Sequence, residues 1–255
     1  MIRRQILTAL IVTVVFTVSL GFVYPFVVTG IAQVAFNNKA NDSLVKVNGK
    51  VVGSKLLGQN FTDAKGNPIP KYFQPRPSAA GTGYDASASR ASNLGPSNPN
   101  LIGNVPGVSI SGKTNPYATH ADPYCVPVQA TDKDGNPITD KGGNPVYEKN
   151  ADGSYVCDPN TVPERAIAYR QLNGLSSSTK VPVDAVTSSG SGLDPEISIA
   201  NADLQARRIA AARHLPLAQV MQLVKKYTST RTLGFLGEQG VNVLELNLAL
   251  DKLGG

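Results

Sequence analysis

Two histidines are all the imidazole in this chain, and His120 with Asp122 and a distant serine could be drawn as a nucleophilic triad. Its setting argues against it: the pair sits among turn-forming residues, and no G-x-S-x-G elbow is present to lift a serine. A second cluster is Ser188, Ser189, Gly190, Ser191 and Gly192, between Val181-Pro182-Val183 and a helix start. Its backbone amides could hold a phosphate; a Gly-rich turn is the competing reading. No Walker A sequence is present. Cys125 and Cys157 are the only thiols. In a loop-rich region they read as a disulfide of an oxidising compartment, with two free cytosolic thiols as the alternative. His120 lies near Cys125, but without C-x-x-C spacing the set makes a poor zinc site. Asp132, Asp134 and Asn136 imitate the first ligands of a calcium loop, yet Pro137 stands where Gly is needed and Gly143 where the bidentate Glu belongs. No metal site is expected.

These groups must be carried by a chain with an unusual beginning. From Gln5 to Asn38 no residue is charged. A helix needs roughly 20 apolar residues to cross a bilayer core, and lipid forces such a segment to satisfy its backbone internally. Pro25, late in the run, kinks a spanning helix more often than it forbids one. The stretch exceeds the apolar region of a cleavable signal, which is the alternative reading, and shows no clean cleavage site. A permanent single anchor is expected. Its orientation is not set by charge, because Arg3 and Arg4 precede it while Lys39, Lys46 and Lys50 follow closely. Thr82-Gly83-Tyr84 matches part of a potassium filter, but a filter needs several chains or spans around a pore, so the match is read as coincidence.

Past the anchor, net charge is +6 with basic residues scattered and no Trp, so no nucleic-acid surface is expected. Val45, Val47, Val51 and Val52 around Asn48-Gly49 predict a hairpin. Pro75, Pro77, Pro96 and Pro99 exclude a continuous helix over the Gly/Ser/Asn-rich stretch that follows. TDKDGNPI (131–138) and TDKGGNPV (139–146) repeat in tandem, with TDAKGNPI (62–69) upstream; each reads as a tight turn between short strands. From Ser198 the apolar spacing is helical to near His214, and a second helix starts at Pro216. VNVLELNLALDKL fits a strand or a helix; Asn242 as cap and Gly254 beyond it favour helix. The whole predicts an α+β chain. A transmembrane helix (1–38) precedes one soluble domain (39–102 and 163–255), interrupted by a turn-rich insertion (103–162).

Five stretches carry a resemblance. GSKLLGQ (53–59), YFQPRPSA (72–79), SNLGPSNP (92–99), VPVDAVTSSGSGLDPEIS (181–198) and RTLGFLGEQGVNVLELNLALD (231–251) are similar, in order and spacing, to the C subunit of the Kdp potassium-transporting ATPase. The likeness covers residues 1–101 and about 164–255; the usual member is expected to lack 103–162, where both cysteines lie. The resemblance implies an accessory subunit in a bacterial inner-membrane complex importing potassium with ATP. Its partners would be a channel-like potassium-binding subunit, a P-type ATPase subunit and the lipid bilayer. It implies no chemistry and no cofactor of its own, ATP being held by the partner ATPase, whose ATP affinity this subunit raises as a catalytic chaperone. It also implies a single pass with the soluble domain in the periplasm. Alternatives are an anchored periplasmic hydrolase using Ser189 or Ser191, a periplasmic gate where ions enter the complex, and direct nucleotide binding at Ser188 to Gly192. Arg76, extended by the prolines around it, could present its fork to a partner's carboxylates or carbonyls, or tie this subunit's own loops together. Asn93 and Asn98 bracket Gly95-Pro96 as partner contacts or, more simply, turn closers.

Overall fold

The computed structural model describes residues 2–95, 98, 101 and 127–253. His120, Asp122 and Cys125 lie outside them. The chain divides at Leu56/Leu57 into two compact units.

The first unit opens with one long helix, α1 (Ile2–Ala35), apolar along its length and with none of its most apolar stretch buried. Bare Leu, Val, Ile and Phe on every side mark a helix whose solvent is hydrocarbon. At about 1.5 Å per residue it is long enough to span the bilayer core with a turn or more to spare. Pro25 lacks the amide that would close on the preceding turn, and the ladder adapts just upstream: Ser19–Val23 is a π-turn, with the Tyr24 amide reaching back to Ser19 O. After a short α2 (Asn37–Ala40) comes the expected hairpin, β1 (Leu44–Val47) and β2 (Lys50–Ser54), Val47 opposite Lys50. Its turn has positive φ at both Asn48 (49°) and Gly49 (78°), the signature of a type I′ connection.

Among its described residues the second unit is built on four α-helices: α3 (Val162–Asn173), α4 (Ile199–Ala212), α5 (Leu217–Lys226) and α6 (Val243–Asp251). A two-stranded antiparallel sheet joins β3 (Glu196–Ile197) to β4 (Val241–Asn242), with Ile197 opposite Val241. The core gathers Ile197, Ala206 and Ile209, Val220 from α5, and Leu246 and Leu250 from α6 around Phe73 of a long loop. Ala202 and Ala206 let α4 approach closely, and both are fully buried. The expected Asn242 cap is present, Gly254 lies outside the described residues, and Ser198 adds a cap of its own. Ser198 accepts the Asn201 amide at 3.1 Å, and Asn242 accepts the Glu245 amide at 3.0 Å. Of the two readings for VNVLELNLALDKL, helix takes Val243–Asp251 while Val241–Asn242 pairs as strand.

The turn repeats form a closed device. The amides of Ile138, Val146 and Ala130 bond in a ring to the carbonyls of Ala130 (2.8 Å), Ile138 (3.0 Å) and Val146 (2.9 Å). Val128, Glu148 and Val156 form a second such ring at 2.8–3.0 Å. The same closure recurs upstream, where the Ile69 amide bonds Phe61 O at 3.0 Å. A fourth copy not marked in the sequence, Lys149–Tyr155, closes through Asp152 and Gly153. In the two tandem copies the leading Asp takes two backbone amides: Asp132 Oδ1 those of Asp134 and Asn136, Asp140 Oδ1 those of Gly142 and Asn144. Asp132 therefore serves its own turn. Cys157 at the base of the array is disulfide-bonded.

Candidate functional site

Of the residues singled out in the sequence, Arg76 and Thr82–Tyr84 lie on one loop, Pro70 to Tyr84, and the serine–glycine run lies on the Ser188–Asp194 segment beside it. The loop has little regular structure of its own, so its backbone groups need partners from elsewhere. Buried amide side chains provide them. Asn247 on α6 accepts the Phe73 amide at 2.9 Å and donates to the Phe73 carbonyl at 3.0 Å. Gln205 on α4 treats Gln74 alike, at 2.7 and 3.1 Å. Each side chain imitates one rung of a β ladder, and both are essentially unexposed.

Two arginines complete the frame. Arg208, buried on α4, donates to Tyr72 O (3.0 Å), Pro70 O, Asn173 Oδ1 (2.9 Å) and Gln205 Oε1 (2.8 Å). Its contacts are neutral acceptors, and burial pulls its pKa down to about 10. Arg213 reaches Lys71 O at 2.7 Å and pairs with Asp251 at 2.6 Å.

Beyond Gln74 the loop is tied to the serine segment. Arg76 pairs with Asp194 at 3.1 Å, while Asp194 Oδ1 holds the Glu196 amide at 3.0 Å. Of the two roles expected for Arg76, the internal tie is the one seen in this chain; among the described residues its Nε is buried without a hydrogen-bond partner. Ser78 Oγ donates to Gly192 O at 2.6 Å and accepts the Tyr84 amide at 2.9 Å. Ser89 Oγ donates to Ser191 O at 2.9 Å. The two segments lie so close that a Cβ on Gly192 (φ 69°) would fall 3.0 Å from Ala80 N, and 2.6 Å from Arg90 O just downstream of the loop. The Thr82-Gly83-Tyr84 stretch is part of this packing: Tyr84 folds back to donate to Arg76 O at 2.8 Å. Burial, helped by the Asp194 charge, raises the Tyr84 phenol well above its usual range.

This geometry bears on what Ser188–Gly192 can do. The Gly192 amide bonds Ser189 Oγ at 3.0 Å and the Leu193 amide bonds Ser191 Oγ at 3.1 Å, so two of the donors suited to a phosphate face serines of the same turn. The nearest helix starts only at Ile199. Its N-terminal end carries a carboxylate from the chain itself, since Asp184 accepts from the Ser198 amide (2.8 Å), Ser198 Oγ (2.8 Å) and Asn201 Nδ2 (2.9 Å). Among the described residues neither Ser189 nor Ser191 bonds to a histidine or a carboxylate, so neither hydroxyl is activated there. Among the described residues Ser188 Oγ is buried without a hydrogen-bond partner, and the residue lines a cavity together with Arg90 and Arg165. Asn93 adopts positive φ (56°) and the Asn98 amide closes on Gly95 O at 2.9 Å, both turn roles.

Helix α3 was the element the sequence reading missed. Thr161 caps it by accepting the Glu164 amide, Pro163 fills the first turn, and Gly174 (φ 62°) ends it. T-x-P-E followed by Gly was the available signal. Its Tyr169 donates to Asn201 and its Asn173 accepts from Arg208, so α3 braces the frame.

Comparison with known proteins now supplies what geometry leaves open. The family described as "KdpC: K+-transporting ATPase, c chain" matches residues 6–135 and 151–252. The match thus runs through the anchor and into the segment expected as an insertion, leaving 136–150 between its two parts. The potassium-transporting ATPase KdpC subunit of Mycobacterium tuberculosis H37Rv is 43% identical over 251 residues, covering 98% of this chain and all of the relative. That of Koribacter versatilis is 37% identical over 249 residues (98% and 95%), and that of Beijerinckia indica 39% over 248 residues (97% and 93%). With anchor, hairpin, stapled loop and helical core all inside the matched stretches, the chain belongs to the KdpC family of potassium-transporting ATPase C chains.

Proposed function

We propose that this chain is the accessory subunit of a potassium-importing ATPase, steadying the assembly and raising the ATP affinity of its P-type ATPase subunit without performing chemistry. The observation that carries the reading is the stapled loop. Asn247, Gln205, Arg208 and Arg213 bind backbone, and Ser189 and Ser191 close their own turn, so the polar groups build a rigid surface and no activated nucleophile. The partners are the channel-like potassium-binding subunit and the ATPase subunit, with the bilayer holding α1. The complex sits in the bacterial inner membrane with the soluble domain outside the cytoplasm.

That orientation keeps the domain from cytosolic ATP, so any effect on nucleotide affinity is a coupling free energy transmitted across the membrane. Couplings of this kind are about 1–3 kcal/mol, or roughly 5–150-fold in affinity. The test is a Ser189→Ala/Ser191→Ala double variant in the complete complex. Assembly and potassium-dependent ATP hydrolysis are expected near wild type. Abolished turnover in a fully assembled complex would overturn the accessory reading in favour of direct chemistry or nucleotide contact.

A further inference from the structure

We propose that the finger Thr228–Gly240 is a docking element, whose apolar tip seats the soluble domain on the extramembranous surface of another protein subunit. This rests on the accessory reading above. The finger leaves α5 and returns to β4, and its base is fastened: the Ser229 amide bonds Gly240 O at 2.7 Å, and the Gly240 amide bonds Ser229 Oγ at 3.0 Å. Arg231 and Glu238 pair across it at 2.8 Å. At the tip, Thr232 and Leu236 exchange both backbone bonds at 2.9 Å. The chain between them turns through positive φ at Leu233 (56°) and Gly234 (82°).

This fixed tip displays Leu233, Phe235 and Leu236, which are 79%, 69% and 50% exposed. A large non-Gly residue in the left-handed region is uncommon and is held only where the surrounding bonds determine it. Here they hold a leucine outward, into solvent. A groove with Met221, Val224, Thr228 and Thr230 on its walls, and with Asp203 and Lys225 also lining it, continues the surface at the base.

A patch of this type marks an interaction site. Charge selects the occupant. The finger itself carries one cation and one anion, already paired, with Glu238 86% exposed; Lys225 and Lys226 stand at its base, on the last turn of α5, and not at its tip. A membrane-binding tip draws on a cationic collar against anionic lipid; here the charges nearest the tip neutralise one another and the two lysines are confined to the base, so the tip fits an uncharged protein surface instead. Rigid aromatic and aliphatic anchors that lose little freedom on docking are the residues on which such interfaces depend.

The experiment places a photoreactive benzoylphenylalanine at position 235 of the full chain within the complete complex. The expected adduct is with another subunit. Adducts confined to lipid, to a second copy of this chain, or to nothing while the complex stays assembled would overturn the finger proposal and leave the accessory reading standing. In parallel, Leu233→Asn keeps a residue that tolerates positive φ while removing the apolar group. Combined with Phe235→Ser it should lower co-purification with the partner subunits about tenfold or more, with thermal stability unchanged because the side chains are exposed. Undiminished co-purification would refute the proposal, whereas failure of the wild-type chain to co-purify at all would instead remove the accessory reading.

Discussion

Replacing Asn247 by Ala should do more damage than the loss of one amide from a short helix suggests. The side chain is fully buried and holds both the amide and the carbonyl of Phe73, itself fully buried. Truncation leaves two buried backbone groups without partners, at about 1–3 kcal/mol each, or about 2–6 kcal/mol together. For a unit of this size each kcal/mol lowers the melting temperature by roughly 2–4 °C, so a fall of about 4–24 °C is expected. The assay is thermal unfolding of the detergent-solubilised full chain, followed by circular dichroism. Asn136→Ala, in an exposed turn, serves as control and should stay within about 0.5 kcal/mol of wild type. Gln205→Ala should couple with Asn247→Ala, because the two amides read adjacent residues of one loop and the second loss falls on a loop already released. A melting shift below about 2 °C for Asn247→Ala would refute the ladder-mimic argument.

The turn array should loosen in acid. Backbone bonds from Asn136 and Asn144 lower the carboxyls of Asp132 and Asp140, and the Ser154 hydroxyl does the same for Asp152. Carboxylates lowered in the folded state stabilise above the unfolded value and lose that contribution as pH falls through the folded one, so amide protection at Asn136 and Asn144 should fade below roughly pH 4; protection unchanged at pH 2 would contradict this. Excising one repeat, residues 139–146, lets Ile138 take the place of Val146 in the ring with Ala130, and the variant should assemble normally because the cut lies within the stretch outside the family match; loss of assembly by a folded variant would place a partner contact there. Cys157 is disulfide-bonded, so an impermeant thiol reagent should label intact cells only after reduction; labelling that requires lysis would reverse the orientation.

Legibility in the sequence followed the range of the forces involved. The apolar run of α1, the Asn48-Gly49 turn, the helical spacing from Ser198 and the Asn242 cap are local features, and each was readable from residue type and spacing. Helix α3 was legible only through its caps, because its apolar residues do not gather on one face. The loop frame was not legible. Nothing local in Phe73 or Gln74 announces bonds to Asn247 and Gln205, and those side chains look like ordinary solvated amides in a helical pattern. Arg76 shows the same limit: its prolines fixed an extended backbone, but Asp194 as its partner depends on the tertiary fold.

The central claim is that the chain contributes affinity and no chemistry. It is tested most directly by the apparent KM for ATP of potassium-dependent hydrolysis, measured as purified full-length chain is titrated back into a complex prepared without it. The account predicts that KM falls by roughly 5-fold or more, within the usual span of such couplings, while the limiting rate per assembled complex changes little. A KM that stays constant while turnover appears only with the added chain would contradict it.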